Sequence, residues 1–336
     1  MRAIAEHLLC HYQGVMVRAK PRPGHEPAAD DIGALVQRMR AGERRAISRV
    51  VTELERFSAA APRLLAALEP YLGTALVVGF TGPPGAARLR GIGVEEGRFT
   101  GAGRSVGIIA VDPSSPVSGG AILGDRIRMT AIVDDDGVFM RSLASRGHLG
   151  GLCPAAVRVI DALDAAGKAL ILIETVGTGQ SEIDVAEIAD VRVLVTAPGL
   201  GDDIQAMKAG LLDIVDVVAV NKADCEGADR TAQQLQGALS LRAERRTVPV
   251  LRTTASTGEG VSALEAAVDR IAADMAGVSA RARRRRRARY LIARAAAERL
   301  ARQVRETSGG DLDALADAVL SGTLSAEEAA ARLIRR

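Results

Sequence analysis

Six short apolar runs between residues 75 and 254 constrain the fold of this 336-residue chain more than any other feature. Each run has six or seven residues and is almost continuously aliphatic, which is typical of strands buried on both faces of a parallel sheet. The intervals between runs can hold crossover helices. The sequence therefore predicts an α/β fold with a doubly wound, mostly parallel sheet that binds ligands at the carboxyl ends of its strands. The runs are ALVVGF (75–80), VGIIAVD (106–112), ALILIET (169–175), VRVLVTA (191–197), IVDVVAV (214–220) and VPVLRTT (248–254).

Helical patterns flank this region on both sides. Between residues 32 and 72, apolar residues recur at intervals of three and four, as they do on amphipathic helices. After residue 275 the chain carries alanine and leucine stripes, which favour packing on the sheet domain or dimerisation. We predict three parts: a helical N-terminal extension (1–72), a sheet domain (73–275) and a C-terminal helical arm (276–336).

Composition argues against several classes of protein. Aromatic residues make up 2% of the chain, which is too few for a surface that stacks on the bases of single-stranded nucleic acid. The net charge of +3 does not indicate a protein whose whole surface is basic. The three cysteines form no C-x-x-C pair. The N-terminus does not resemble a signal peptide, and no apolar run reaches the roughly 18 residues of a membrane span. We expect a cytoplasmic protein with neither nucleic acid nor membrane as a partner.

A glycine-rich turn directly follows the first run. It begins like the phosphate-binding pattern G-x-x-x-x-G-K-[S/T], in which the second glycine lets the backbone approach phosphate, lysine neutralises charge and the hydroxyl binds Mg²⁺. The three defining positions instead hold Ala87, Arg88 and Leu89, so an ordinary strand–turn connection is an equal alternative on this stretch alone. The candidate phosphate-binding residues are Gly82, Pro83, Pro84, Gly85, Ala86, Ala87, Arg88 and Leu89.

The sequence N-K-A-D follows the fifth run. The pattern N-K-x-D at a strand end indicates guanine recognition, because an aspartate carboxylate accepts hydrogen bonds from both N1–H and the exocyclic amine of guanine, whereas adenine presents an acceptor at N1. A chance match of four residues is the alternative. We predict that Asn221, Lys222 and Asp224 bind the base, and that Thr254-Ala255 presents a backbone N–H to guanine O6.

Two further strand ends carry acids. Asp112 closes the second run, and Glu174 closes the third in the pattern Glu-x-x-Gly with Gly177. A carboxylate in such a position can hold Mg²⁺ through water or orient an attacking water, and the glycine can respond to the γ-phosphate. The alternative is that both acids are simply solvated at the ends of their strands. Their combination with N-K-x-D favours the nucleotide site.

From about residue 40 to 275 the chain resembles the MeaB/ArgK-type GTPases, chaperones of adenosylcobalamin-dependent methylmalonyl-CoA mutase. The resemblance implies a P-loop NTPase-like fold, a homodimer with a C-terminal dimerisation arm, and GTP or GDP with Mg²⁺ as ligands. It rests on five strings: VVGFTGPPGA (77–86), VDPSSPVSGGAILGDRIRM (111–129), IETVGTGQSE (173–182), PGLGDDIQAMKAG (198–210) and VNKAD (220–224).

The resemblance also implies roles for individual residues. Asp112 and Asp125 match the Mg²⁺-associated switch acids of the family, and Glu174 matches its Walker-B-like acid. Lys208 falls in the switch region that relays the nucleotide state to the mutase. We therefore expect Asp112, Asp125 and Glu174 to hold the metal, and Glu174, Asp112 and Lys208 to act in catalysis.

The chain departs from the family between residues 87 and 103. This stretch contains five glycines, and each disfavours a helix interior by about 1 kcal/mol relative to alanine. Family-like sequence resumes at Gly103 without an apparent change of length. Either the phosphate loop has decayed, or the segment is read out of frame between two compensating insertions or deletions.

Three functions fit these observations. The first is a GTP-hydrolysing chaperone that gates adenosylcobalamin loading and protection of methylmalonyl-CoA mutase. The second is a pseudo-GTPase adaptor with the same fold and partner but little nucleotide turnover. The third is a transport-associated ATPase or kinase, against which the N-K-x-D pattern argues.

Seven arginines lie between residues 281 and 289. Such a run can bind nucleic acid or an acidic partner. We favour the simpler interpretation, a solvated basic helix that leads into the arm.

Overall fold

The computed structural model describes residues 29–83, 85–86, 104–112, 137–144, 155–175, 181–200, 211–241, 247–306 and 310–334. Strands and helices alternate through the middle of the chain, and helices alone precede and follow them. The strands are β1 (Leu76–Thr81), β2 (Val106–Asp112), β3 (Val138–Ala144), β4 (Leu170–Thr175), β5 (Val191–Thr196), β6 (Val217–Val220) and β7 (Val250–Arg252). The helices are α1 (Ala29–Arg40), α2 (Arg44–Glu55), α3 (Ala61–Leu68), α4 (Ala155–Ala165), α5 (Ser181–Ile188), α6 (Leu211–Ile214), α7 (Ala228–Ser240), α8 (Val261–Asp274), α9 (Ala280–Glu306), α10 (Gly310–Leu320) and α11 (Ala326–Ile334).

The strands pair in parallel in the order β3-β2-β4-β1-β5-β6-β7. Strand β1 lies between β4 and β5, with Phe80 beside Glu174 on one side and Thr81 beside Leu194 on the other. The predicted parallel α/β sheet is confirmed. Because all described strands point the same way, their carboxyl ends meet at one edge of the sheet, which we call the carboxyl edge.

Strand β3 is one element that the apolar pattern does not predict. It lies at the end of the sheet and pairs with β2 from Val138 to Ala144. Arg141 and Ser142 within it are only partly buried, and the Arg141 guanidinium pairs with the Glu55 carboxylate of α2. A strand with a neighbour on one side only does not need the continuous aliphatic run of a central strand.

Helices cover both faces of the sheet. On one face, α4 and α5 pack on the strands, α2 and α3 pack on α4, and α1 packs on α2 and α3. Their shared core includes alternate strand residues such as Val77 and Ile171. On the opposite face, α8 packs on the intervening residues, including Val78 and Leu172. The amphipathic pattern of the N-terminal helices is explained by this packing, because their apolar stripes are the buried ones. In α2 the buried side chains are Ala46, Ile47, Val50, Val51 and Leu54.

Helix α4 holds the segment that leads into β1. The buried carboxylate of Asp164 accepts hydrogen bonds from the backbone N–H groups of Gly73 at 2.6 Å, Thr74 at 3.1 Å and Ala75 at 3.0 Å. It also accepts one from the Thr74 hydroxyl at 3.0 Å. One side chain therefore satisfies three consecutive backbone donors and fixes where β1 begins.

The arginine-rich segment forms the first turns of α9, and the prediction of a solvated basic helix is wrong for one of its faces. Arg287 is buried, with 4% of its surface exposed, and it donates to the Asp190 carboxylate at 2.7 Å. Arg284 forms two hydrogen bonds with Glu69. Arg285 and Arg289 are exposed. The inner arginines are paired because the sheet domain supplies buried anions and helix-end carbonyls, which a local charge pattern cannot show.

The last two helices pack on each other, beside Val304 of α9. Together they line an apolar groove of about 440 Å³. Leu320 at its rim is highly exposed. In the ranges given above, no helix has both the length and the apolar character required to cross a membrane. The groove residues include Val304, Leu312, Leu315, Val319, Ala330 and Leu333.

Candidate nucleotide-binding site

The turn after β1 lies at the carboxyl edge, beside the end of β5. Gly82 has φ of 147°, and a Cβ at this position would lie 1.9 Å from the carbonyl oxygen of Val195. A glycine is therefore required for β1 to pass β5 at this point. The turn closes on itself because the Ala86 N–H donates to the Pro83 carbonyl at 3.3 Å. Gly85, also with positive φ, is exposed within it.

Asn221 joins this turn to the loop after β7. Its buried side chain donates from Nδ2 to the Ala86 carbonyl at 2.9 Å. Its Oδ1 accepts from the Ala255 N–H at 3.1 Å and from the Thr253 hydroxyl at 3.4 Å. Its backbone N–H donates to the Thr196 carbonyl at 2.7 Å. Because both ends of the amide are used, one side chain sets the relative positions of the segments after β1, β6 and β7.

Lys222 and Asp224 follow in a tight turn at the same edge. Lys222 has φ of 56°, which is uncommon for a residue with a side chain. The turn is anchored by the Ala223 N–H, which donates to the Thr253 carbonyl at 3.0 Å, and by the Cys225 N–H, which donates to the Lys222 carbonyl at 2.9 Å. The side chains of Lys222 and Asp224 are exposed. They are therefore open to a ligand while their backbone is held in place.

The loop after β7 uses the backbone donors of both predicted base-contacting residues. The Thr254 N–H donates to the Glu259 carbonyl at 2.9 Å, and the Ala255 N–H donates to Asn221. The next residue, Ser256, is exposed, and its N–H makes no hydrogen bond with the residues that the structure describes. Ser256 thus offers an open backbone donor beside Ala255. Sequence reasoning missed it because the use of backbone N–H groups depends on long-range pairing.

The two candidate acids lie on neighbouring strands at the carboxyl edge. Strands β2 and β4 pair from Val106 beside Leu170 to Val111 beside Thr175. Asp112 is one position beyond the last pair, and the half-buried Glu174 is one position before it. Both therefore lie on the side of β1 opposite to β5. Within the described ranges, no group of three or more His, Cys, Asp or Glu side chains is placed to hold a metal ion.

Three buried threonines end the central strands. They are Thr81 in β1, Thr175 in β4 and Thr196 in β5, and their hydroxyls have no hydrogen-bond partner in the described part of the chain. A buried hydroxyl without a partner costs roughly 1–3 kcal/mol. Sequence reasoning did not select them, because threonine at the end of an aliphatic strand looks like any other β-branched strand residue.

Several candidate residues fall outside the described residues, and their proposed roles stay predictions. The structure places the others along one edge: the turn after β1, the two acids to one side of it, and the N-K-x-D turn with the loop after β7 to the other. The candidates outside the described ranges are Pro84, Ala87, Arg88, Leu89, Asp125, Gly177 and Lys208.

Comparisons with known proteins show the family to which this chain is similar. A model of the family described as methylmalonyl-CoA mutase-associated GTPase MeaB matches residues 44–309. A protein of Pyrococcus horikoshii named as a GTPase is 47% identical over 240 residues, which cover 69% of this chain and 75% of that protein. GTPase ArgK of Escherichia coli is 39% identical over 193 residues, which cover 56% of this chain and 58% of ArgK.

A mammalian protein and a solved structure extend the comparison. The mitochondrial methylmalonic aciduria type A homolog of Mus musculus is 37% identical over 191 residues, which cover 55% of this chain and 46% of that protein. A crystal structure described as an LAO/AO transport system kinase matches 90% of this chain and 96% of its own with a TM-score of 0.68. Its sequence identity of 22% limits that likeness to the fold.

Proposed function

The chain belongs to the MeaB family of methylmalonyl-CoA mutase-associated GTPases, and on this basis we propose that it is a GTP-binding and GTP-hydrolysing chaperone that gates adenosylcobalamin loading and protection of methylmalonyl-CoA mutase. The observation that carries the nucleotide-binding part is the position of Asn221. Its side chain ties the turn after β1 to the loop after β7. The candidate phosphate-binding and base-binding segments are thereby held together before any ligand arrives.

In this proposal GTP lies along the carboxyl edge. The turn 82–86 faces the phosphates, and the exposed Asp224 carboxylate accepts from guanine N1–H and the exocyclic amine. The open N–H of Ser256 donates to guanine O6. The aliphatic stem of Lys222 covers the base. Adenine is disfavoured, because its N1 would place a lone pair against the carboxylate.

The acids supply the chemistry at the phosphate end. We propose that Asp112, Asp125 and Glu174 hold Mg²⁺ or its waters, and that Glu174 orients the attacking water. When bound, Mg²⁺ neutralises charge that develops on the phosphates. Carboxylates are ligands that suit this hard cation, so the residues fit the ion. Lys208 would carry the nucleotide state to the mutase.

The phosphate loop is where the chain differs from an active GTPase. Leu89 has no oxygen to offer to Mg²⁺, and Arg88 is planar and bulkier than the lysine of the motif. Loss of one preorganised transition-state donor costs roughly 3–4 kcal/mol in other enzymes. We therefore expect hydrolysis to be impaired, which keeps a pseudo-GTPase adaptor as the second candidate.

A turnover assay separates these two candidates. Purified full-length chain is incubated with GTP and Mg²⁺, and phosphate release is compared with that of a variant that carries Gly-Lys-Ser-Thr at positions 87–90. Turnover by the variant alone supports a GTPase fold whose activity has been lost in this sequence. Turnover at equal rates in both would refute the expected impairment.

Competition between GTP and ATP tests the third candidate, a transport-associated ATPase or kinase. The same pair of proteins is titrated with a fluorescent guanine nucleotide, and each competitor is then added. Displacement by GTP but not ATP supports the proposal. Equal displacement by ATP would favour the ATPase or kinase.

We further propose that the chain is a homodimer held by its C-terminal arm. The groove between the end of α9 and helices α10 and α11 is apolar, and Leu320 at its rim is exposed. Burial of one leucine side chain contributes about 1.5–3 kcal/mol. Light scattering should give twice the chain mass for the full-length protein and a lower mass for Leu320→Glu. If Leu320→Glu remained a dimer, the result would show that the dimer interface does not include this groove.

A further inference from the structure

The arm helix α9 docks lengthwise on α5, the helix that links β4 to β5. Near the start of α9, the Nε of Arg287 donates to the carbonyl of Ile188, the last residue of α5, at 2.8 Å. One turn further along α9, the Tyr290 hydroxyl hydrogen-bonds to the carboxylate of Asp184, one turn earlier in α5. The two helices are therefore antiparallel, and α9 runs from the amino edge of the sheet toward the carboxyl edge.

One buried carboxylate fixes the amino-edge end of this pair. Asp190 exchanges two hydrogen bonds with Val77 of β1: its N–H donates at 2.7 Å and its Oδ2 accepts at 3.1 Å. The same carboxylate is paired with Arg287 at 2.7 Å, Arg286 at 3.2 Å and Arg283 at 3.6 Å. The start of β1, the end of α5 and the start of α9 thus share one anchor. Removing one partner of such a buried network is strongly destabilising.

Helix α5 also lies directly on β1. A Cβ at Gly79 would lie 2.2 Å from the Cγ1 of Val185 and 2.8 Å from the Cβ of Ala189. The Val185 and Ala189 side chains therefore pack directly on the backbone of β1 at this point. The far end of α5 begins at Ser181, shortly after β4 and its acid Glu174 reach the carboxyl edge. One end of α5 is therefore anchored, and the other starts beside the candidate site.

We propose that α5 transmits the nucleotide state to the arm, with Asp190 as the fixed point and the bond between Tyr290 and Asp184 as the contact that moves α9. The inference rests on the proposed nucleotide binding. A tilt of α5 about its anchored end displaces Asp184, which lies nearer the candidate site than Asp190 does. The buried Tyr290 follows, and α9 carries the displacement toward the apolar groove of the arm. Tyr290 is thus a positioning residue that acts through α5.

Hydrogen exchange measured by mass spectrometry tests this coupling in the full-length chain. The chain and its Gly-Lys-Ser-Thr version (87–90) are compared without nucleotide, with GDP and with a non-hydrolysable GTP analogue, all with Mg²⁺. We expect the exchange rates of the α9 amides around Tyr290 to differ about fivefold between the complex with the GTP analogue and the complex with GDP. Tyr290→Phe should abolish that difference and change the Kd for either nucleotide less than twofold.

Tyr71→Phe is the matched control. Its hydroxyl accepts a hydrogen bond from Gln37 of α1 at 3.4 Å. Because this hydroxyl is bonded to α1, the difference in α9 should persist in the control. Melting temperatures separate lost coupling from lost folding. Nucleotide binding without any change in α9 would overturn the inference and leave the proposed function intact. Absence of nucleotide binding in both versions would overturn the proposed function, and the inference with it.

Discussion

The side-chain amide of Asn221 donates a 2.9 Å hydrogen bond to the carbonyl of Ala86, so the residue after β6 holds the turn after β1. On the other side, the same amide accepts from Ala255. A guanine nucleotide bound at the carboxyl edge would therefore meet phosphate and base segments that are already positioned relative to each other. Preorganisation of this kind reduces the cost of binding.

Replacement of Asn221 by alanine tests this relationship. Asn221→Ala leaves the Ala86 carbonyl and the Ala255 N–H without their partner, so we expect the free energy of unfolding to fall by about 2–4 kcal/mol. Guanine-nucleotide affinity should also fall. Denaturant titration and calorimetry measure the two effects. In the control Thr253→Val, which removes only the 3.4 Å contact to Asn221, the loss should stay below about 1 kcal/mol. Equal losses would contradict the assigned role.

Base specificity should depend on Asp224. Asp224→Asn replaces one acceptor with an N–H₂ donor, so the side chain no longer accepts from both guanine N1–H and the exocyclic amine. Hydrogen bonds to charged groups contribute about 1.5–3 kcal/mol, so guanine-nucleotide affinity should drop about 10- to 100-fold. A xanthine nucleotide, whose C2 oxygen can accept from the new amide, should bind the variant better than the parent. If Asp224→Asn kept the preference of the parent for guanine over xanthine, the result would show that Asp224 does not bind the base.

Asp161 should make the protein less stable as the pH rises. Burial raises the pKa of its carboxyl from 3.8 to about 6, although Arg284 and Arg287 partly oppose the shift. The folded state therefore binds more protons than the unfolded state between these values, and stability falls as the pH rises from about 4 to about 6. The difference corresponds to at most roughly 3 kcal/mol. Asp161→Asn should remove this decline and raise the melting temperature at pH 7.5.

For Asp164, which lies three residues further along the chain, we expect the opposite effect of an Asn substitution on the melting temperature. Asp164 accepts four hydrogen bonds from residues 73–75. Asp164→Asn turns acceptors into a donor that faces other donors, so the melting temperature should fall. Melting curves of both variants at pH 5.0 and 7.5 make the comparison. A lower melting temperature for Asp161→Asn at pH 7.5 would show that the ionised carboxylate stabilises the protein.

The contact between α5 and β1 should not tolerate a methyl group. Gly79→Ala would place Cβ 2.2 Å from Val185, and overpacking of this kind typically costs about 1–3 kcal/mol. The control Gly33→Ala lies within α1 with nothing inside 4 Å of the added methyl group. It should stabilise the protein by about 0.5–1 kcal/mol, because alanine favours helix. Similar unfolding free energies for the two variants would contradict the close packing of α5 on β1.

The sheet could be predicted because its central strands are buried on both faces, and that burial leaves continuous aliphatic runs in the sequence. Strand β3 escaped prediction since Arg141 and Ser142 interrupt its apolar pattern. The anchoring of Arg287 escaped prediction for another reason. Its partner Asp190 lies in a different part of the chain, and only folding brings the two together.

In the candidate site, too, some features could be predicted from the local sequence and others depend on tertiary contacts. The N-K-x-D pattern and the strand that precedes it locate Asn221, Lys222 and Asp224 at the carboxyl edge. The same pattern cannot show that the Ala255 N–H donates to Asn221, whereas the Ser256 N–H remains available to a ligand. Backbone donors are assigned by tertiary pairing, which a single sequence does not contain.

The central claim, a guanine-nucleotide site at the carboxyl edge, is tested most directly by calorimetry with GTP and Mg²⁺. The full-length chain is compared with its version that carries Gly-Lys-Ser-Thr at 87–90. We predict GTP binding by the restored version, and binding at least about tenfold weaker by the chain as it stands, which corresponds to about 1.4 kcal/mol. Failure of the restored version to bind GTP would contradict the account.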